Sequence, residues 1–236
     1  MPIAMNSPVP ASATPVPATE TPAPTATPIP PTPTIEPPSV ISEYLNGVEI
    51  LSLDTFDNLD NWGAWNLQTG SLKNGTYEIT GQEGWKSGLV LINKISEGNG
   101  LTLKFKLSEN GDYLSEFVLA TGAYQTDSYR QFGIYTQKYS TADLYQGTNA
   151  LGFNNLNGNL VLQPEVWYNL MMAVGDGGDL IAVIWNPDDP TNRVYYHEIL
   201  GKKWDDLNYE FQAKANIGQT YVIDDFMPFT FTEMVQ

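Results

Sequence analysis

The chain has 236 residues with a formal net charge of −16 and a sequence pI near 4.2, from 27 acidic and 11 basic side chains. Such a field repels phosphate backbones and anionic lipid surfaces, which argues against nucleic-acid binding and against strongly anionic polysaccharides as partners. With no Cys, neither disulfides nor thiolate metal sites nor thiol chemistry is available. No window reaches the roughly 18 apolar residues of a membrane span, so membrane insertion by this chain is not expected. No basic, then apolar, leader follows Met1, so any export signal is expected to lie outside this sequence.

Thirteen of the 17 Pro fall before position 39, in a Pro/Thr/Ala-rich stretch. Closely spaced Pro fixes φ and removes backbone donors, so residues 1–38 are expected to be a disordered linker sampling polyproline II. As a rod at about 3.1 Å per residue, it reaches on the order of 100 Å. From Ser39 the composition turns globular, and residues 39–236 are expected to form one β-domain.

A first strand is predicted over Tyr44–Phe56, the next over Tyr77–Thr80 after the Asn74-Gly75 turn signal, and another over Gly88–Asn93. Leu101–Leu107 alternates four apolar residues against Thr102, Lys104 and Lys106, the pattern of a half-buried strand with a wet face. Further strands are predicted at Tyr113–Ala120, Tyr129–Thr136, Ala150–Leu156 and Asn159–Gln163, the last two joined by Asn157-Gly158, a strong hairpin signal. Val166–Val174 is apolar on both alternating faces, as in a central strand covered on both sides. Asp176-Gly177-Gly178-Asp179 then turns the chain into an antiparallel partner, Leu180–Trp185, which Asn186-Pro187-Asp188-Asp189-Pro190 stops. Strands at Arg193–Ile199, Leu207–Ile217 and Thr220–Phe231 close the chain. There is no helix of three turns and no internal repeat, and turn signals every 8 to 15 residues point to an all-β antiparallel sandwich.

Three pieces occur in the order expected of a concanavalin A-like (laminin-G-like) jelly roll: Phe56-Asp57 with Trp62, Glu165-Val166-Trp167-Tyr168-Asn169-Leu170 leading into a hairpin, and Tyr221-Val222-Ile223-Asp224-Asp225-Phe226 in the last strand. Residues 45 to 232 resemble that fold, and bacterial carbohydrate-binding modules in particular; the Pro/Thr stretch resembles the tethers of bacterial surface proteins. The resemblance implies an extracellular or cell-surface carbohydrate-binding (lectin-like) module, with a polysaccharide or glycan as partner. It also implies a structural Ca²⁺ pinning the chain ends, held by Asp225 (or Asp224) and Asp57 (or Asp54). These segments are core elements, and fold does not by itself fix function.

Sugar recognition needs aromatic faces against pyranose C–H groups and polar side chains on the hydroxyls. Trp85, in a Gly/Gln/Glu-rich turn, is one candidate. Tyr124, Tyr129, Tyr135, Tyr139 and Tyr145 form a second group in Ala123–Gly147, interleaved with Arg130, Gln131 and Asp143; for each Tyr, packing into the sandwich is the competing reading. Arg130 suits either a hydroxyl clamp or an ordinary ion pair. Trp185 either lines a binding face or caps the core. The expected ligand-binding set is Trp85, Tyr124, Tyr129, Arg130, Gln131, Tyr135, Tyr145 and Trp185, with no catalytic residues assigned.

Glycosidases of this general fold resemble Glu-x-Asp-x-x-Glu on one strand, a pattern absent here. Glu78, Glu83 or Glu116 could supply carboxylates from separate strands, but nothing in the sequence selects them. His197 reads as structural. The expectation is therefore a non-catalytic binder of a neutral glycan, with a self-assembling surface adhesin and a glycoside hydrolase of the same fold as alternatives.

Overall fold

A computed structural model describes residues 35–64, 70–81, 87–108, 115–201 and 208–235. Ile35–Gln236 is one compact unit. A single 3₁₀ turn, Ile41–Glu43, precedes the strands β1 (Leu45–Asn46), β2 (Glu49–Ile50), β3 (Trp62–Ala64), β4 (Ser71–Lys73), β5 (Thr76–Thr80) and β6 (Ser87–Leu91). Then come β7 (Asn99–Leu107), β8 (Ser115–Thr121), β9 (Arg130–Thr136), β10 (Thr141–Gln146), β11 (Asn149–Asn155) and β12 (Asn157–Gly158). The last six are β13 (Trp167–Gly175), β14 (Asp179–Asn186), β15 (Asp189–Ile199), β16 (Glu210–Ala215), β17 (Thr220–Thr230) and β18 (Glu233–Met234).

Two antiparallel sheets stack into a sandwich. One has seven strands in the order β11-β10-β9-β8-β16-β6-β3; the other runs β12-β15-β14-β13-β7-β17-β5-β4, with β2 also paired to β17. Among the described residues no helix is long and apolar enough to cross a membrane.

The main core lies between the sheets. Phe117, Leu119, Phe132, Ile134 and Phe211 enter it from the seven-stranded sheet, and Phe105, Tyr168, Leu170, Ile184 and Tyr221 from the other. Near the chain start, Trp62 stacks on Phe56 at 5.4 Å and meets Phe226 edge-on at 4.8 Å, while its indole N–H donates to Asp54 Oδ2 at 2.8 Å. Burying that ring with its polar edge satisfied makes it an anchor joining both chain ends.

The expected central hairpin is present as β13–β14, in register from Asn169–Trp185 to Gly175–Asp179. Its double-sided apolarity has a structural cause: a second core covers the outer face, where Met171, Ala173, Ile181, Val183 and Trp185 pack beneath Val40, Ile41 and Leu45. The same cover corrects the reading of Leu101–Leu107. Lys104 and Lys106 stay partly exposed, but Thr102 is buried, paired with Met171 on one side and Met227 on the other.

Three expectations fail locally. Tyr44–Phe56 is not one strand, because it breaks into β1 and β2 with only an isolated bridge at Asp54. Asn157-Gly158 is not a hairpin turn: it is the strand β12, paired with Val194 and Tyr195, and it carries the chain from one sheet to the other. Gly158 sits at φ +122, where an added Cβ would lie 2.4 Å from the Arg193 carbonyl oxygen, so glycine is needed for close strand approach and not for reversal. The actual hairpin joins β10 to β11 through Gly147-Thr148. Asn159–Gln163 forms no strand.

Candidate functional site

Strand alternation sends every second residue of the seven-stranded sheet outward, away from the core. On β8 this is Glu116, on β9 Gln131, Gly133 and Tyr135, on β10 Asp143 and Tyr145, and on β16 Glu210, Gln212 and Lys214. All of these except Gly133 line a cleft of about 500 Å³, together with Tyr124 and Tyr129 from the 122–129 loop. From β11 across to β16 the face spans about 19 Å at roughly 4.8 Å per strand, enough for an extended ligand.

The rim is aromatic. Tyr124, Tyr129 and Tyr145 meet pairwise at 5.2 to 6.2 Å, in edge-on geometry. Tyr124 is 60% exposed, while Tyr129 is buried beside Val118 and Ala120. At the other end Tyr135 lies 5.6 Å from Phe153, which is 63% exposed on the edge strand β11 directly opposite Asp143. Cross-strand partners share a face, so Phe153 extends the aromatic surface past the cleft.

The floor is a polar network. Gln131 Oε1 accepts the Tyr129 hydroxyl, and its Nε2 donates to Glu116 Oε1 and to Asp143 Oδ2, each at 3.0 Å. One amide nitrogen therefore holds the two carboxylates within about 6 Å of each other. Gly133 makes the room, since a Cβ there would stand 2.1 Å from Glu116 Oε1. Lys214 lies 3.6 Å from Glu116 Oε2. Lys94, at the mouth, pairs with Glu210. Asp143 Oδ1 is buried without a hydrogen-bond partner.

Burial dominates the electrostatics. Glu116, 2% exposed, has its pKa pushed up to about 7 by desolvation, with Lys214 opposing and Asp143 adding to the shift. Asp143, 1% exposed, is pushed up to about 6, again by desolvation, against the pull of Lys214 and of hydrogen bonds from Tyr135 and Gln131. Tyr129 and Tyr135 are raised by desolvation and by these carboxylates, so both remain neutral donors. Two acids faced by one lysine share a proton near neutral pH.

Of the residues expected to bind ligand, Tyr124, Tyr129, Gln131, Tyr135 and Tyr145 are brought together here. Arg130 is not among the lining residues: its guanidinium donates to the carbonyls of Asp127 (2.9 Å) and Tyr129 (2.7 Å), bracing the loop. Trp185 takes the core alternative, 2% exposed on the far side of the other sheet. Trp85 and Glu83 lie outside the described residues. Glu78 faces Lys73 at 3.7 Å, away from the cleft. The sequence reading left Asp143 as a background residue and missed Lys214 and Phe153; the alternation Thr141-Ala142-Asp143-Leu144-Tyr145 was the available signal for β10.

The aspartates named for calcium are engaged in other contacts in this structure. Asp225 pairs with Lys104 at 2.5 Å, and Asp57 accepts from Thr55 Oγ1 at 3.0 Å. Asp54 accepts from Trp62 and from the Phe56 amide, and Asp224 accepts the Asp225 amide. Ca²⁺ takes six to eight oxygens. Among the described residues no group of three or more acidic, His or Cys side chains gathers to supply them.

No protein-family model matches the chain, and no curated protein is similar to it in sequence. Solved structures are similar in fold. The CBM2 module of the evolved Dit of Lactobacillus casei BL23 phage J-1 has a TM-score of 0.54 at 10% identity, covering 82% of this chain and 99% of that one. A prokaryotic β-1,3-1,4-glucanase (lichenase) derived from a mouse hindgut metagenome has a TM-score of 0.54 at 11% identity, covering 77% and 99%. The exoplasmic/lumenal domain of VIP36, in a Ca²⁺/Man-bound form, has a TM-score of 0.53 at 11% identity, covering 73% and 84%. At such identities the likeness establishes the class of fold, a jelly-roll β-sandwich.

Proposed function

We propose that this chain is an extracellular glycan-recognising domain, and that the outer face of its seven-stranded sheet receives a segment of a neutral polysaccharide. The observation that carries this reading is the convergence of exposed aromatic rings on a floor of Gln131, Glu116 and Asp143. Tyr124, Tyr145 and Phe153 offer apolar faces to pyranose C–H groups, and the floor offers acceptors to hydroxyls. Lys94 and Lys214 offset part of the acidic charge, which suits a neutral ligand better than a cationic one. The fold neighbours support the reading, since they include a CBM2 module, a β-1,3-1,4-glucanase and a Man-bound lumenal domain.

Affinity electrophoresis of the full chain through gels containing neutral polysaccharides tests it. Retardation by at least one polysaccharide, lost in Tyr124→Ala and Gln131→Ala proteins that remain folded, is the expected result. Retardation that both variants keep would move the site elsewhere.

A further inference from the structure

Glycan binding accounts for the aromatic rim and for acceptors on the floor, but not for buried charge there. A binder needs acceptors for hydroxyls, which serine, asparagine or backbone carbonyls supply without burying charge. Here two carboxylates stand almost wholly out of water, on strands separated by β9, with the intervening position emptied to glycine and a glutamine amide fixing both. Buried acids are retained against a desolvation penalty, and a pair facing a ligand cleft is a recurring mark of acid–base work.

We propose that this cleft cleaves glycosidic bonds, with Glu116 as the general acid and Asp143 as the nucleophile; the proposal rests on the glycan-binding reading. The roles follow from the contacts. Glu116 is the more deeply desolvated acid and keeps its proton to the higher pH. Asp143 is raised less by burial than Glu116, so it is the carboxylate of the pair that ionises first, and it lines the cleft beside Glu116. One oxygen of each carboxylate lies within about 6 Å of the other's, bridged by a single amide, an arrangement closer to the carboxyl separations of about 5–5.5 Å used in direct attack than to the wider spacing that admits a water between sugar and base.

In the first step an oxygen of the Asp143 carboxylate bonds to the anomeric carbon, the bond from that carbon to the glycosidic oxygen breaks, and the Glu116 proton passes to the departing alcohol. In the second, Glu116 takes a proton from water, whose oxygen attacks the anomeric carbon and frees Asp143. One water is consumed, both residues return to their starting forms, and the anomeric configuration is retained. Gln131 is a positioning residue, aligning the carboxylates through its two N–H bonds.

The groups facing the pair are Lys214 from β16, Tyr129 before β9, Tyr135 from β9 and Tyr145 from β10, with Lys94 and Glu210 paired at the mouth and Tyr221 in the core beneath the sheet, its hydroxyl against Thr136. Activity requires Asp143 ionised and Glu116 protonated, so the rate rises with pH through about 6 and falls through about 7, apparent values that belong to the pair.

The test uses the full chain with mixed-linkage β-glucan, xylan, galactan and starch, scoring retention in affinity gels and release of new reducing ends in parallel. The expected result is that a retained polysaccharide is cut with a bell-shaped pH profile. Glu116→Gln and Asp143→Asn should lower cleavage roughly 10²–10⁴-fold or more, far beyond any weakening of retention. In Asp143→Ala, sodium azide should restore cleavage and yield a glycosyl azide, which a merely structural Asp143 would not produce. A polysaccharide retained but never cut by the wild-type protein overturns the catalytic proposal and leaves glycan binding standing. Retention of none overturns both.

Discussion

Replacing Glu116 by Gln isolates the energetic cost of the site. In the unfolded chain this glutamic acid loses its proton near pH 4.5, and in the folded protein near 7. Below pH 4.5 both states hold the proton and the group contributes nothing to the pH dependence. Between 4.5 and 7 the folded state holds more protons than the unfolded one, so stability falls as pH rises, and above 7 the loss is complete. At about 1.4 kcal/mol per pH unit the interval amounts to roughly 3 kcal/mol. Glutamine keeps the acceptor that Gln131 Nε2 binds, and the attraction of Lys214 is already contained in the interval, so the expected gain is about 3 kcal/mol. For a domain of this size that is about 6–12 °C in melting temperature. Thermal denaturation followed by circular dichroism should place Glu116→Gln above wild type by that amount at pH 8 and level with it near pH 4.5. A variant that melts below wild type at pH 8 would mean that ionised Glu116 is net stabilising beside Lys214, and the argument from desolvation would fail. A variant both more stable and less active is the signature of strain kept for function.

Other consequences are accessible to the same methods. Tyr124→Ala should weaken polysaccharide retention about tenfold, on the order of 1–1.5 kcal/mol, with melting unchanged because the ring is mostly exposed. Gly133→Ala drives a Cβ into Glu116 Oε1, and should cost about 1–3 kcal/mol of stability while breaking the Gln131 bridge and with it retention. Trp185→Ala should cost about 3–5 kcal/mol in denaturant unfolding and leave retention intact wherever the protein stays folded, since the ring lies in the second core. EDTA should leave the melting temperature unchanged; a drop would reveal a cation that the described carboxylates do not account for.

Much of the sandwich is legible from local chemistry. The Asp176–Asp179 turn between two apolar runs could only be a buried hairpin, and Leu101–Leu107 shows its period of two directly. Asn157-Gly158 misled because the same dipeptide that favours a turn also allows the close backbone approach that β12 makes to Arg193, and only the distant strand β15 decides between them. β10 was missed because its outward residues are Asp143 and Tyr145 and its partner β11 is an edge strand exposed along most of its length, so neither shows a clean apolar face. The tyrosines of the cleft were visible as a composition; the carboxylate pair was not. Glu116 and Asp143 sit on strands with another between them, and their approach depends on register, on Gly133 and on the Gln131 amide, none of which a spacing rule encodes.

The most direct test of the account is a crystal structure of the full chain with an oligosaccharide cut from whichever neutral polysaccharide retards it. The account predicts sugar rings lying across the outer face of the seven-stranded sheet, stacked on Tyr124 or Phe153, with a glycosidic oxygen above Glu116 and an anomeric carbon above the Asp143 carboxylate. Sugar bound at any other face, with the Gln131 network untouched, would contradict it.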